Sequence, residues 1–239
     1  MRKFTNSITA CAFLAVCLLF TSCKDDSFLN VPPPVPDQSF VEEFDNYNTA
    51  IANGWKPINK SVPVGYTNWK LGSPSFSCYS SNINNQGCFY SDFNTSGLAA
   101  TGAAPAVINN WLISKPLIIK NGDKIIFYTR TSTQTAPNEF PDALEVRLNT
   151  YNDRFDVGAG TGYEVGSFSN IILNINGSLL LNGPFSFPRN WTKFTATVSG
   201  VQQPSTGRFA FRHFVPDGGP DNPNGTDVAI DSVAYISAK

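Results

Sequence analysis

Few residues in this chain could do covalent chemistry. His213 is the only histidine among 239 residues, so it is the one side chain whose ordinary pKa suits a general base near neutrality. It stands in the run Gly207-Arg-Phe-Ala-Phe-Arg-His-Phe-Val215 beside aromatic neighbours, and no Gly-x-Ser-x-Gly element accompanies it. The glutamates downstream of Cys23 are Glu42, Glu43, Glu139, Glu145 and Glu164. Nothing in their spacing marks two of them as the carboxylate pair of a glycosidase. The residue types predict no catalytic residues and no enzyme.

Binding chemistry is better represented. Tyr128 and Arg130 alternate onto one face of a strand, Glu145, Arg147 and Asn149 share one face of another, and Arg212 and His213 lie in the C-terminal run. Such a stripe could hydrogen-bond sugar hydroxyls, with Trp69 or Tyr128 stacking on a ring. The alternative is an internal Arg–Glu network that covers a sheet face and binds nothing. Trp55, Trp111 and Trp191 read as core or rim anchors.

The cysteines carry a third kind of chemistry. Cys11 and Cys17 fall in an N-terminal apolar run, leaving Cys23, Cys78 and Cys88. Arg2 and Lys3, the apolar run 8–20, and Thr21-Ser22-Cys23 give residues 1–22 the form of an export signal. Its end resembles a bacterial lipobox, with Cys23 as the lipidated residue; an ordinary secretory signal is the alternative. Lys24-Asp25-Asp26 resembles the short export signal of Bacteroidetes surface lipoproteins, which implies an outer-membrane, cell-surface address. Membrane contact would then run through the lipid anchor alone. An even cysteine pair in an exported domain predicts a Cys78–Cys88 disulfide.

These groups must be positioned by strands. Residues 23–37 form a tether containing Val31-Pro-Pro-Pro-Val-Pro36, and residues 38–239 form one domain. Residues 39–45, 87–93, 108–119, 124–131, 143–149, 168–176 and 191–198 read as strands, with a short helical segment over 46–53. Asn121-Gly122 is a hairpin signal. The closing runs, 207–215 and 226–236, read as a strand pair. The oxygen-rich loop between them, residues 217–227, reads as solvated. Charged residues make up 15% of the chain and the net charge is -1, so no basic field exists to hold nucleic acid. The fold class is all-β, a single jelly-roll (concanavalin-like) β-sandwich.

An ordered set of motifs then resembles the choice-of-anchor J domain, a family related to the cleaved-adhesin and MAM-like jelly rolls. The pieces are Glu43-Phe-Asp45, Gly54-Trp55, Asn68-Trp69, Asn110-Trp-Leu-Ile-Ser-Lys-Pro116, Phe127-Tyr-Thr-Arg130 and Pro141-Asp-Ala-Leu-Glu-Val-Arg147. Gly166-Ser-Phe168, Ile175-Asn176, Trp191-Thr192, Gly207-Arg-Phe-Ala-Phe-Arg212 and Ile230-Asp-Ser-Val233 follow in the same order. His213 stands where a tyrosine is more usual. The resemblance implies a non-enzymatic extracellular domain whose partner is a glycan or a surface protein. It also implies structural calcium, held by Glu43 and Asp45 with Asp231. Asp231 lies between Ile230 and Val233 in a run suited to burial, where a carboxylate needs a cation or a hydrogen-bond network.

Overall fold

The computed structural model describes residues 34–80, 87–133 and 139–239. The export signal, Cys23 and the tether up to residue 33 lie outside the described residues. From Val35 to Lys239 the chain clusters as one unit.

Two six-stranded antiparallel sheets face each other. The front sheet is ordered β10 (Thr192–Thr197), β7 (Lys124–Arg130), β12 (Asp227–Ile236), β4 (Phe89–Asp92) and β3 (Lys70–Leu71), with β1 (Phe40–Glu42) also on β12. The back sheet is ordered β2 (Lys56–Asn59), β5 (Val107–Ile113), β11 (Ser205–Pro216), β8 (Leu144–Asn149) and β9 (Asn170–Ile175), with β6 (Leu117–Ile119) on the start of β11. Side chains alternate between faces with period two. Thus β11 turns Phe209 and Phe211 into the main core and Ala210 outward into a second cluster.

The two closing strands do not pair with each other. β11 is the centre of the back sheet and β12 the centre of the front sheet, and Phe209 stacks on Tyr235 across the core at 6.1 Å. The Asn121-Gly122 hairpin also fails. Gly122 takes φ 88 and makes the turn, yet β6 pairs with β11 while β7 pairs with β10 and β12. Turn chemistry specifies a local reversal only. Which sheet the next strand joins is set by the core it must bury.

The first strand stops at Glu42, earlier than its alternation suggests, because Phe44 takes φ 52 and drops its ring onto Phe89 and Trp55 at 4.5 and 5.0 Å. Helix α1 (Tyr47–Ala52) follows, capped by the Asn46 side chain accepting from Thr49 N. β12 meets β7 on one edge; on the other it meets β4 over residues 227–230 and β1 over 233–235. The gap between β4 and β1 coincides with a bulge after Asp231, where Ser232 has φ 48.

Strand directions gather five connections at one end, here the apical end: β2–β3, β4–β5, β7–β8, β9–β10 and β11–β12. The chain enters at the opposite, basal end, where Gln38 N donates to Ser237 Oγ and Ser237 N to Ser39 Oγ, both at 3.0 Å.

Candidate functional site

The charged stripe of the back sheet is closed. Glu145 accepts two bonds from Arg147, at 2.5 and 3.2 Å, and one from Arg212 at 3.1 Å. All three residues are buried. The β8–β9 connection lies over them: Phe168 O accepts from Arg147, while Gly162 O and Tyr163 O accept from Arg212. The Arg212 guanidinium also rests over the Phe214 ring at 3.7 Å. Burial lowers its pKa to about 10, partly offset by Glu145. Beneath the same connection Trp111, Ile113, Val157, Phe168 and Ala210 form the second apolar cluster. Glu145, Arg147 and Arg212 therefore do not offer hydrogen bonds to a ligand, and the internal network is what the chain builds.

The front sheet is covered only in part. Cys78 and Cys88 form a disulfide. Their segment lays Tyr79 on Tyr128 at 3.8 Å, nearly parallel, and Phe76 under the Arg130 guanidinium at 4.3 Å. Tyr128 and Arg130 thus stack on their own chain, on a different sheet from Arg147 and Arg212. Trp69 is 1% exposed in the main core and cannot stack on a sugar. The expected ligand stripe is split between two sheets: the back-sheet half is buried, and the front-sheet half, Tyr128 and Arg130, is half-buried against Tyr79 and Phe76.

The calcium set does not fit either. Asp231 accepts from Tyr79 N, Ser80 N, Ser80 Oγ and Ser232 N. Glu43 accepts from Ser232 Oγ, and Asp45 is exposed. Burial pushes the Asp231 carboxyl up to about 6, against the lowering effect of its donors. A cation needs oxygen lone pairs facing it, whereas N–H and O–H donors from the disulfide segment face this carboxylate. Among the described residues no group of three or more His, Cys, Asp or Glu could hold a metal ion. Of the two readings left open for Asp231, the hydrogen-bond network is the one formed.

The apical end is different. A pocket of about 840 Å³ opens there, lined by Phe93, Thr133, Phe140, Asp221, Asn222 and Thr226 together with Gly219, Gly225, Pro220 and Pro223. Phe93 and Phe140 are 37% and 36% exposed. The β11–β12 loop, read from sequence as solvated, buries Gly218, Gly219 and Gly225. Gly225 has φ 87, and a Cβ there would stand 2.5 Å from Ile108 Cδ1, so only glycine lets the loop lie this close.

Under the pocket lies a buried polar chain. His213 faces inward between the sheets, not onto a rim. It takes Ser91 Oγ at Nδ1, 2.9 Å away, and Asp142 Oδ1 at Nε2, 3.1 Å away. Asn110 Nδ2 donates to Ser91 Oγ. Asp142 Oδ1 also accepts from Thr226 N at 2.8 Å, and the Thr131 hydroxyl sits 2.8 Å from Asp142 Oδ2 and 3.2 Å from Asp227 Oδ1. Burial and neighbouring Asp142 raise the Asp227 pKa. Ser91, His213 and Asp142 have the membership of a hydrolytic triad, but each is 0% exposed, so no substrate reaches this trio.

The pocket residues were not visible as a set in the sequence, since Phe93, Phe140 and Asp221 come from three separate connections. Two signals did point toward them: the glycine- and oxygen-rich β11–β12 loop, and Pro141-Asp142 ahead of an alternating strand.

No family model and no curated protein matches the chain. Among solved structures, the K1 cleaved adhesin domain of Lys-gingipain from Porphyromonas gingivalis W83 is 23% identical with a TM-score of 0.50, over 84% of this chain and 99% of that one. The K3 cleaved adhesin domain of the same protein is 20% identical with a TM-score of 0.50, over 86% of this chain and all of that one. At these identities the likeness is one of fold: the chain has the β-sandwich of the cleaved adhesin domains.

Proposed function

We propose that this chain is a non-catalytic adhesion domain of the cell surface whose apical pocket binds an uncharged extracellular glycan. The observation that supports it is the lining of the pocket. Half-exposed Phe93 and Phe140 rings offer apolar faces, and Thr133, Asp221, Asn222 and Thr226 offer a few hydrogen-bonding groups. That mixture is the usual make-up of a small-ligand site. Among the described lining residues there is no Lys, Arg or His, which argues against carboxylated or sulfated sugars, since these call for a charge-assisted donor. The gingipain domains of the same fold bear the name adhesin, in keeping with this reading and with the choice-of-anchor J resemblance.

The placement of the pocket supports a surface role. The chain enters at the basal end, and the ten residues of β12 lead from there to the apical loops, roughly 30 Å at 3.3 Å per residue. The pocket thus lies at the opposite end of the sandwich from Gln38, and Cys23, in its lipobox-like setting, is the residue proposed to be lipidated. A second reading, docking of a surface protein, draws on exposed Leu180, Leu181, Phe185 and Ile171 near a groove of about 310 Å³.

A glycan array probed with the purified chain and with Phe93→Ala and Phe140→Ala separates the two. Binding of neutral glycans, weakened about tenfold or more by either substitution, is expected. Binding that both variants retain in full would move the site elsewhere, and no binding to any glycan would leave the protein-docking reading.

A further inference from the structure

We propose that Asp142 is the positioning residue of the apical pocket, a buried clasp that joins the β7–β8 and β11–β12 connections and sets how their lining residues stand. The proposal rests on the pocket being the binding site, but it concerns how the pocket is held. One pocket residue, Thr226, bonds Asp142 directly, and three more are tied in through its neighbours. Thr226 gives its N–H to Asp142 Oδ1 at 2.8 Å and its hydroxyl to Phe140 O at 3.1 Å. Gly225 N donates to Pro141 O at 2.9 Å. Thr133 follows Ser132, whose N–H is held by Asp227 Oδ1 at 2.7 Å, and Asp227 is linked to Asp142 through the Thr131 hydroxyl. A third connection joins at the backbone, where Asn176 Nδ2 donates to Asp142 O at 2.8 Å and also holds Leu180 O.

Asp142 touches none of the pocket volume itself. It is fixed from inside the sandwich by His213 on β11, which Ser91 on β4 orients in turn. The clasp thus spans both sheets where the apolar core ends. A carboxylate accepting from an N–H and an imidazole is a charge-assisted arrangement, stronger than neutral bonds, and burial makes leaving its partners unmet costly.

The geometry distinguishes two substitutions sharply. Both bonds from Thr226 N and His213 Nε2 fall on Oδ1, which the amide oxygen of Asp142→Asn can accept. The amide nitrogen then faces the Thr131 hydroxyl, which can accept from it and donate onward to Asp227. Asp142→Asn therefore keeps the clasp, and Asp142→Ala cuts it.

The test uses the full chain without a histidine tag. Hydrogen exchange at the Thr226 amide is expected to be about ten- to hundredfold faster in Asp142→Ala and within about threefold of wild type in Asp142→Asn. Binding to soluble mannan, galactan and β-glucan should follow the same order, and the ring-nitrogen signals of the sole histidine should shift as a bound polysaccharide saturates the pocket. Unchanged Thr226 exchange in Asp142→Ala, or Asp142→Asn behaving like Asp142→Ala, would overturn the clasp. If Asp142→Ala does not fold, the wild type decides: its Thr226 amide must exchange with the slow amides of β12, and exchange at the rate of exposed loop amides overturns the proposal. If no polysaccharide binds, the glycan reading fails while these exchange rates still judge the clasp.

Discussion

Replacing Glu145 with alanine should unfold much of the stability of this domain, and the size of the loss separates a closed network from an open binding face. Glu145 is the sole carboxylate between two guanidiniums in this network, with three bonds at 2.5, 3.2 and 3.1 Å. Side-chain exposure is 8% for Glu145, 9% for Arg147 and 2% for Arg212. Removing one partner from a buried ion pair costs about 3–5 kcal/mol, because a buried charge is left behind. Arg212 keeps Asn109 Oδ1 and two carbonyls, and Arg147 keeps one carbonyl, so the lower half of that range is expected. With a urea slope of about 2 kcal/mol/M, the midpoint of unfolding should fall by about 1.5–2 M. A solvated pair would cost less than about 1 kcal/mol. The triple replacement Glu145→Leu, Arg147→Met and Arg212→Met should recover most of the loss, since well-packed apolar groups often match a buried ion cluster. A midpoint shift below about 0.5 M for Glu145→Ala would refute the closed network and return this face to the candidates for ligand binding.

Three further outcomes follow from the same geometry. Cys78→Ser/Cys88→Ser opens a loop with a separation of 10 residues, which should cost roughly 2–3 kcal/mol in urea unfolding and speed exchange of the Tyr79 and Ser80 amides on Asp231. Asp231 has a folded-state pKa of about 6 against 3.8, so its contribution is fully present below about pH 4 and is lost as pH rises through 6. That difference converts to about 3 kcal/mol, and Asp231→Ala should flatten the corresponding part of a stability profile taken from pH 4 to 7.5. Phe93→Ala should weaken glycan binding while leaving the free energy of urea unfolding within about 1 kcal/mol of wild type, as the ring is partly exposed.

The fold was legible in the sequence where a strand obeys period two. Residues 143–149 and 207–215 alternate so cleanly because each buries one face in the main core and the other under a covering connection. What alternation does not carry is the partner of each strand. The closing runs looked like neighbours because they are adjacent in sequence, yet each is central in its own sheet, since burying both faces of β11 and β12 requires a layer on either side. The covering connections were equally hidden. Residues 150–169 show no regular period, and only their contacts, such as Arg208 over Phe155 at 4.0 Å and Gly162 O on Arg212, reveal that they seal a charged stripe. Three of the four bonds to Asp231 come from 151 and 152 residues away, beyond any local pattern. The pocket was illegible for the same reason: its rings and amides meet only when the loops of both sheets converge.

The covered stripe of the back sheet is closed to a ligand. A bare back sheet would present Glu145, Arg147 and Arg212 as a polar surface, but their mutual bonds and the carbonyls of the covering connection already satisfy them. The apical end is built the other way. There Ser91, Asn110 and His213 bond one another and reach Asp142, and the two aspartates Asp142 and Asp227 take the loop amides of Thr226 and Ser132. The loops are thereby fixed in place without filling the space above them, and Phe93 and Phe140 stay partly exposed at its edge. Stability and binding should accordingly separate along the length of β11: substitutions at Phe209 or Phe211 act on the core they share with Trp55 and Tyr235, whereas substitutions around His213 act on the loops. Phe209→Ala should cost about 3–5 kcal/mol yet leave the affinity of the folded fraction unchanged, whereas Asp142→Ala should lower the affinity of the folded fraction. If the two variants change affinity alike, core and pocket are one cooperative unit and the division along β11 is wrong.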